Sequence, residues 1–239
     1  MLFLRSLLFS LGMIISTLVF APLGILTLPL PLPQRYAFIS QWARFNLWWL
    51  AVTCRLDYRV EGAENIPNHA CVILCKHQSA WETLALQMIF PQQVWVIKRE
   101  LLWVPFFGWG LAMLKPIAIN RAAARQALRQ LVEQGAQRLA DGLWVVIFPE
   151  GTRVTPGEKR PYAPGGALLA SRTGRTVVPV AHNAGEFWPK HGFLKRPGTI
   201  RLVIGVPILT TGRHANEINT LAEHWIEDTM THISGPAPQ

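Results

Sequence analysis

Residues 6–34 carry no charge, and residues 6–28 (SLLFSLGMIISTLVFAPLGILTL) are almost continuously apolar. A helix rises about 1.5 Å per residue, so this stretch reaches about 35 Å, enough for the roughly 30 Å hydrocarbon core of a bilayer. Pro22 is expected to kink it, and Pro29, Pro31 and Pro33 to end it. Val19-Phe20-Ala21 loosely resembles a signal-peptide cleavage box, but Pro22 follows and the apolar run continues, which argues against removal. Residues 36–53 form a second apolar stretch, in which Phe38, Trp42, Phe45, Trp49 and Val52 recur at three- and four-residue steps along one helical face. Arg44 in its middle makes a full crossing costly, and Trp favours the headgroup level. The expectation is a membrane anchor over residues 1–54, one helix embedded and one interfacial. The same pattern also fits a helix pair buried in a core.

Beyond residue 54 the pattern changes. Short β-rich runs recur at Leu56–Val60, Cys71–Cys75, Val94–Ile97, Ile117–Ile119, Trp144–Phe148, Val177–Ala181 and Ile200–Val206. Helical stretches are predicted at Trp81–Ile89, Ala122–Ala140, Gly165–Ser171 and Asn216–His232. The second of these is rich in strong helix formers, with Asn120 as its expected cap and Asp141-Gly142 as its expected end. Strand–helix alternation predicts a layered α/β domain over residues 55–239.

Composition narrows the partner. Half of the 239 residues are hydrophobic, only 15% are charged, and the net charge is +9. A typical soluble domain is about one quarter charged. Such a chain is too hydrophobic for intrinsic disorder. Few charges, mostly positive, suit a surface that is apolar and anionic together, such as a phospholipid membrane rather than nucleic acid. Of the 23 Lys and Arg residues, only Arg5, Arg35 and Arg44 precede residue 54. Cys54, Cys71 and Cys75 are an odd set, which points to reduced, buried thiols.

Three polar clusters follow strand-like runs, where ligands of open α/β sheets bind. The first is Lys76-His77-Gln78-Ser79-Ala80-Trp81-Glu82. With His77 at a strand end and Glu82 in the next helical turn, the loop brings imidazole and carboxylate together. The carboxylate then fixes the tautomer and leaves the other ring nitrogen as a base. The second is Phe148-Pro149-Glu150-Gly151-Thr152-Arg153, a tight turn that supplies a carboxylate, a hydroxyl and a fixed cation suited to phosphate. The third is Ile119-Asn120-Arg121 at a helix start, joined by Lys98-Arg99-Glu100-Leu101 after another strand. Leu101–Leu114, with its four aromatic residues, lines an acyl groove, rests on a bilayer or packs in the core. Ser79 carries no mark of a nucleophile, and no G-x-S-x-G, H-E-x-x-H or P-loop pattern is present.

Taken together, the clusters resemble the 1-acyl-glycerol-3-phosphate acyltransferase family of glycerolipid acyltransferases. Its four blocks occur in order: N-H-x4-D at Lys76-His77-x4-Glu82, K-x-E-L and I-N-R at Lys98–Leu101 and Ile119–Arg121, F-P-E-G-T-R at Phe148–Arg153, and V-V-P-V at Val177–Val180. The resemblance covers about residues 55–210. It implies a glycerolipid-acyltransferase-like α/β fold and transfer of a fatty acyl group from acyl-CoA or acyl-carrier protein to the 2-hydroxyl of lysophosphatidate. It implies His77 as general base and Glu82 as its orienting group. Arg121, Glu150, Gly151, Thr152 and Arg153 map to acceptor-binding positions, Lys98 to a phosphate contact, and Pro179 to a residue shaping the pocket. It implies no metal or organic cofactor, and a bacterial inner-membrane location with the catalytic domain in the cytoplasm. Two positions depart from the pattern: Lys76 stands for the usual Asn and Glu82 for the usual Asp. They leave the acceptor open to other lysophospholipids or lyso-ornithine lipid, and an acyl-thioester hydrolase is the competing enzyme reading.

Overall fold

A computed structural model describes residues 1–120 and 123–235. Two long helices come first, α1 (Leu2–Leu26) and α2 (Leu32–Cys54). Then follow β1 (Leu56–Glu61), β2 (Val72–Cys75), α3 (Trp81–Ile89), β3 (Gln93–Lys98), α4 (Phe107–Ala112), β4 (Ile117–Ile119) and α5 (Ala124–Ala140). The chain ends with β5 (Trp144–Ile147), α6 (Gly165–Thr173), β6 (Val177–His182), α7 (Ala184–Phe187), β7 (Gly198–Ile204) and α8 (Ala215–Ile233). Every predicted strand is present, within a few residues of its expected bounds.

The strands form one sheet in the order β1-β7-β6-β2-β5-β3-β4. The run from β6 to β4 is parallel throughout. β7 reverses against β6 and pairs in parallel with β1. Strands β2, β5 and β6 are covered on both faces, which is why they read as unbroken apolar runs, whereas β1 alternates with solvent. Helix α6 lies so close to this centre that a Cβ on Gly166 would sit 2.5 Å from the Leu74 side chain. Helix α8 seals the core with Ile218, Ala222, Ile226, Met230 and Ile233, a stripe of helical period.

The strand order decides where the chemistry goes. Neighbouring parallel strands present their carboxyl ends on one side, so β2, β5 and β6 deliver Lys76-His77, the Phe148–Arg153 turn and His182 to a shared edge. β3 and β4 add Lys98 and Ile119, which are direct register partners.

The N-terminal helices form a pair. Asn46 donates to Ser16 Oγ at 3.2 Å and the Trp49 indole to the Leu8 carbonyl at 3.1 Å. Close packing requires Gly12, because a Cβ there would fall 2.1 Å from the Trp49 ring. The face of α2 buried in the protein is Tyr36, Ile39, Ser40, Ala43, Asn46, Leu47, Leu50 and Cys54, beside the apolar Phe38–Val52 stripe. Phe38, Trp42 and Trp49 are half-buried, and Val52 is exposed. The helix has neighbours on two sides, α1 and the α3–β1 edge, which accounts for a buried face wider than one stripe. Asn120 does not cap α5: the helix starts at Ala124 with Ala123 as its first flanking residue. The predicted stop at Asp141 and the left-handed Gly142 is observed. All three cysteines are free and buried.

Candidate active site

His77 leaves the end of β2 and stacks its ring on Phe148 at 3.9 Å between centroids, 12° from parallel. Its Nδ1 lies 2.7 Å from Glu82 Oε1. An ionised carboxylate only accepts, so the ring proton is on Nδ1 and Nε2 is free to take another. Glu82 sits in the first turn of α3, fully buried. The same Oε1 accepts the backbone N–H groups of Gln78 at 3.1 Å and Ser79 at 2.9 Å, and Ser79 also donates to Oε2 at 3.1 Å. Burial pushes this carboxyl up, but His182, His77 and the Ser79 N–H outweigh it and hold it below the usual range. Ser79 is spent structurally: its hydroxyl accepts the Trp81 N–H at 3.2 Å and is buried.

Three features behind this dyad were not legible in the motifs. His182, at the end of β6, is fully buried with Nε2 2.8 Å from the Lys76 carbonyl and 3.8 Å from Glu82 Oε2. Its Nδ1 accepts the Ala184 N–H at 3.2 Å, so Nε2 carries the proton. Burial pushes its imidazole down, with the Glu82 carboxylate opposing the shift. The polar Ala181-His182-Asn183 break after V-V-P-V was the signal available. The other two are Glu227 of α8 and Tyr162, which join Lys76 in a buried cluster.

The Phe148–Arg153 turn closes over the first cluster. Gly151 adopts φ +69°, which a side chain would strain, and its N–H donates to the Phe148 carbonyl at 3.0 Å. Glu150 Oε1 accepts the His77 backbone N–H at 3.3 Å. Burial pushes the Glu150 carboxyl up to about 7, with Lys76 opposing the shift. The Val154 N–H donates to the His77 carbonyl at 2.7 Å, so turn and catalytic loop are pinned together. Thr152 Oγ1 accepts from Lys190 Nζ at 3.4 Å. Arg121 lies outside the described residues.

A cavity of about 240 Å³ opens from this edge. Its polar lining includes His77, Arg153 and Lys98. Trp95, Ile97, Leu111 and Leu114 line its apolar wall, and α1 and α2 contribute Phe20, Ile39 and Trp42. In the Leu101–Leu114 segment, Leu101, Phe106 and Phe107 line the cavity, Leu114 is buried, and Trp103 and Trp109 face outward. Pro179 is not among the cavity's lining residues. It lies in β6 where the ladder to β7 breaks between Val180 and the Val177–Ile208 bridge, a place where a missing N–H is tolerated.

The arrangement is thus an imidazole held by a buried carboxylate, at the polar end of an apolar cavity with two cations beside it. The acyltransferase family model matches residues 57–183, more than half of the chain. The chain belongs to the acyltransferase family. Among its relatives, the 1-acyl-sn-glycerol-3-phosphate acyltransferase of Pseudomonas aeruginosa is 48% identical over 97% of this chain and 92% of its own length. The enzyme of the same name from Cocos nucifera is 26% identical, over 91% of this chain and 69% of its own. The crystal structure of the 1-acyl-sn-glycerophosphate acyltransferase from Thermotoga maritima superposes with a TM-score of 0.81 at 22% identity, covering 99% of this chain and 97% of that one. That similarity shows the layered α/β fold over 99% of this chain.

Proposed function

We infer that this chain is a 1-acyl-sn-glycerol-3-phosphate acyltransferase that uses His77 as a general base. The observation that carries the mechanism is the 2.7 Å contact between His77 Nδ1 and Glu82, which leaves the other ring nitrogen unprotonated at the cavity. His77 Nε2 takes the proton of the lysophosphatidate 2-hydroxyl as its oxygen attacks the thioester carbonyl. The carbon–sulfur bond breaks, and the imidazolium returns the proton to the departing thiolate. Glu82 stabilises the imidazolium between the two proton transfers. The donor is acyl-CoA or acyl-carrier protein, and no acyl-enzyme forms.

Lys98, Arg153 and Arg121 bind the acceptor phosphate, with Glu150, Gly151 and Thr152 shaping the turn that presents Arg153. Arg153→Ala is expected to raise the KM for lysophosphatidate by about ten- to a hundredfold, the range of a lost charge-assisted pair. Its kcat should change far less. An unchanged acceptor KM in steady-state kinetics would remove Arg153 from the phosphate site.

Residues 1–54 are the anchor and 55–239 the catalytic domain. Helix α1 is the one helix among the described residues long and apolar enough to cross a membrane. Both of its ends, however, rest on the catalytic domain. Near the start, Ser6 Oγ accepts the Lys195 N–H at 2.9 Å and Phe9 packs edge-on against Trp188. Near the end, Thr17, Phe20 and Ala21 line the cavity that holds His77. A helix fastened at both ends to one domain does not pass through the bilayer. It lies in one leaflet, with Leu4, Leu8, Leu11, Ile15 and Leu18 turned outward. Each buried acyl CH₂ is worth about 0.8 kcal/mol, so a site at the leaflet spares the lipid an unfavourable transfer to water. We place the protein on the cytoplasmic side of a bacterial inner membrane. Alkaline carbonate should leave the full chain in the membrane pellet, and its release to the supernatant would contradict embedding.

A further inference from the structure

Lys76 departs from the family pattern, and the structure shows an unusual environment for it. Its side chain is 2% exposed, and its ammonium lies between two carboxylates. Nζ is 2.5 Å from Glu227 Oε1 on α8 and 3.4 Å from Glu150 Oε1 in the Phe148–Arg153 turn. The Tyr162 hydroxyl donates to the same Glu227 oxygen at 2.9 Å. Glu150 Oε1 in turn accepts the His77 backbone N–H. A buried cation of this kind is costly to desolvate unless it is closely paired. An Asn at this position would need neither partner.

We propose that Lys76 is a positioning residue of the active site: its ammonium, countered from behind by Glu227, holds Glu150 as a carboxylate under the His77 backbone and so ties helix α8 to the catalytic loop. The proposal rests on the reading of His77 as the base. Glu150 is the group it acts through. As a carboxylate, Glu150 holds both Lys76 and the His77 N–H on Oε1 by charge-assisted contacts; a proton on the unpartnered Oε2 removes that charge and weakens both. The other titratable groups facing this cluster are Cys75 on β2, Glu82 on α3, His182 on β6 and Tyr162. Burial pushes the Cys75 thiol and the Tyr162 hydroxyl up, so both are neutral near pH 7. Burial pushes His182 down with Glu82 opposing, and the cation in contact with Glu150 is Lys76.

The sign follows from the charges. Removing Glu227 takes a negative neighbour from Glu150 and leaves Lys76 wholly for it, so Glu150 ionises at lower pH. Removing Lys76 and Glu227 together takes away the cation, so Glu150 ionises at higher pH. Neighbouring charges of this kind move a carboxyl by about 1–3 units. Glu227→Gln keeps size and the Tyr162 acceptor, and Lys76→Asn/Glu227→Gln restores the family's Asn without a stranded charge. The test is the pH profile of kcat for both, with infrared titration of the carboxyl band that Glu150→Gln lacks. The acid limb and the band should move down by about one pH unit in Glu227→Gln and up by at least that in the double variant. The infrared arm reads Glu150 directly, so it stands even if His77 proves not to be the base. Variants that keep the wild-type limb and the wild-type band, whatever their activity, would overturn the proposal and leave Lys76 a packing residue.

Discussion

His77→Ala is expected to lower kcat for phosphatidate formation by about 10²–10⁴-fold, the usual worth of a positioned general base. The fold should survive, because the ring rests on Phe148 at the cavity rather than in the core, and its backbone contacts to Glu150 and Val154 do not depend on the side chain. Helical content and melting temperature measure that directly. The KM for lysophosphatidate should move little, since the proposed phosphate contacts are Arg153, Lys98 and Arg121. A purified variant with wild-type kcat would refute the base assignment.

The second large effect is at Glu82. Its two oxygens accept from His77 Nδ1 and from the N–H groups of Gln78 and Ser79, so one side chain orients the base and shapes the loop that carries it. Glu82→Ala should lower kcat by about 10²–10⁴-fold, comparable to the loss of the carboxylate in a Ser-His-Asp triad. It should also lower stability, because two buried N–H groups lose their acceptor at about 1–3 kcal/mol each. Glu82→Asp should keep most of the activity, since the shorter carboxylate is the family's usual residue and a small loop shift restores the contact. The pair of variants, compared by kcat and thermal melt, separates a lost carboxylate from a lost length. An Ala variant with unchanged kcat would dissolve the dyad. The carboxyl is held below its usual range in the fold, so its contribution to stability is present above about pH 4.5 and is lost as pH falls through the folded value.

Much of this site was legible in the chain because the chemistry sits within short sequence distances. His77 and Glu82 are five residues apart, and Glu150 to Arg153 are consecutive, so strand–loop–helix geometry alone brings each group together. The strands were legible for the same reason, as apolar runs bounded by turn residues. What escaped was whatever depends on sheet order. His182 meets Lys76 across 106 residues, and Glu227 meets it across 151. Nothing in local spacing says that β6 lies beside β2, or that α8 folds over both. The reversal of β7 escaped likewise, because a short alternating strand reads the same in either direction. The N-terminal helices were placed correctly in sequence, but the face of α2 that packs on the protein was not legible, because an apolar helix with two neighbours has more than one face to hide.

The chain that read as both greasy and basic is therefore two surfaces around one cavity. Helices α1 and α2 and the outward Trp103 and Trp109 supply the apolar part, while Lys98 and Arg153 line the polar end of the cavity, where the proposed function puts the phosphate. The central claim is direct transfer from thioester to hydroxyl by His77. It is tested most directly by following a labelled acyl group from an acyl thioester in a single turnover, with and without lysophosphatidate, for the wild-type enzyme and for His77→Ala. The account predicts labelled phosphatidate from the wild type only when the acceptor is present, almost none from His77→Ala, and no label on the protein. Labelled free fatty acid released without acceptor, or a labelled acyl-enzyme, would contradict it.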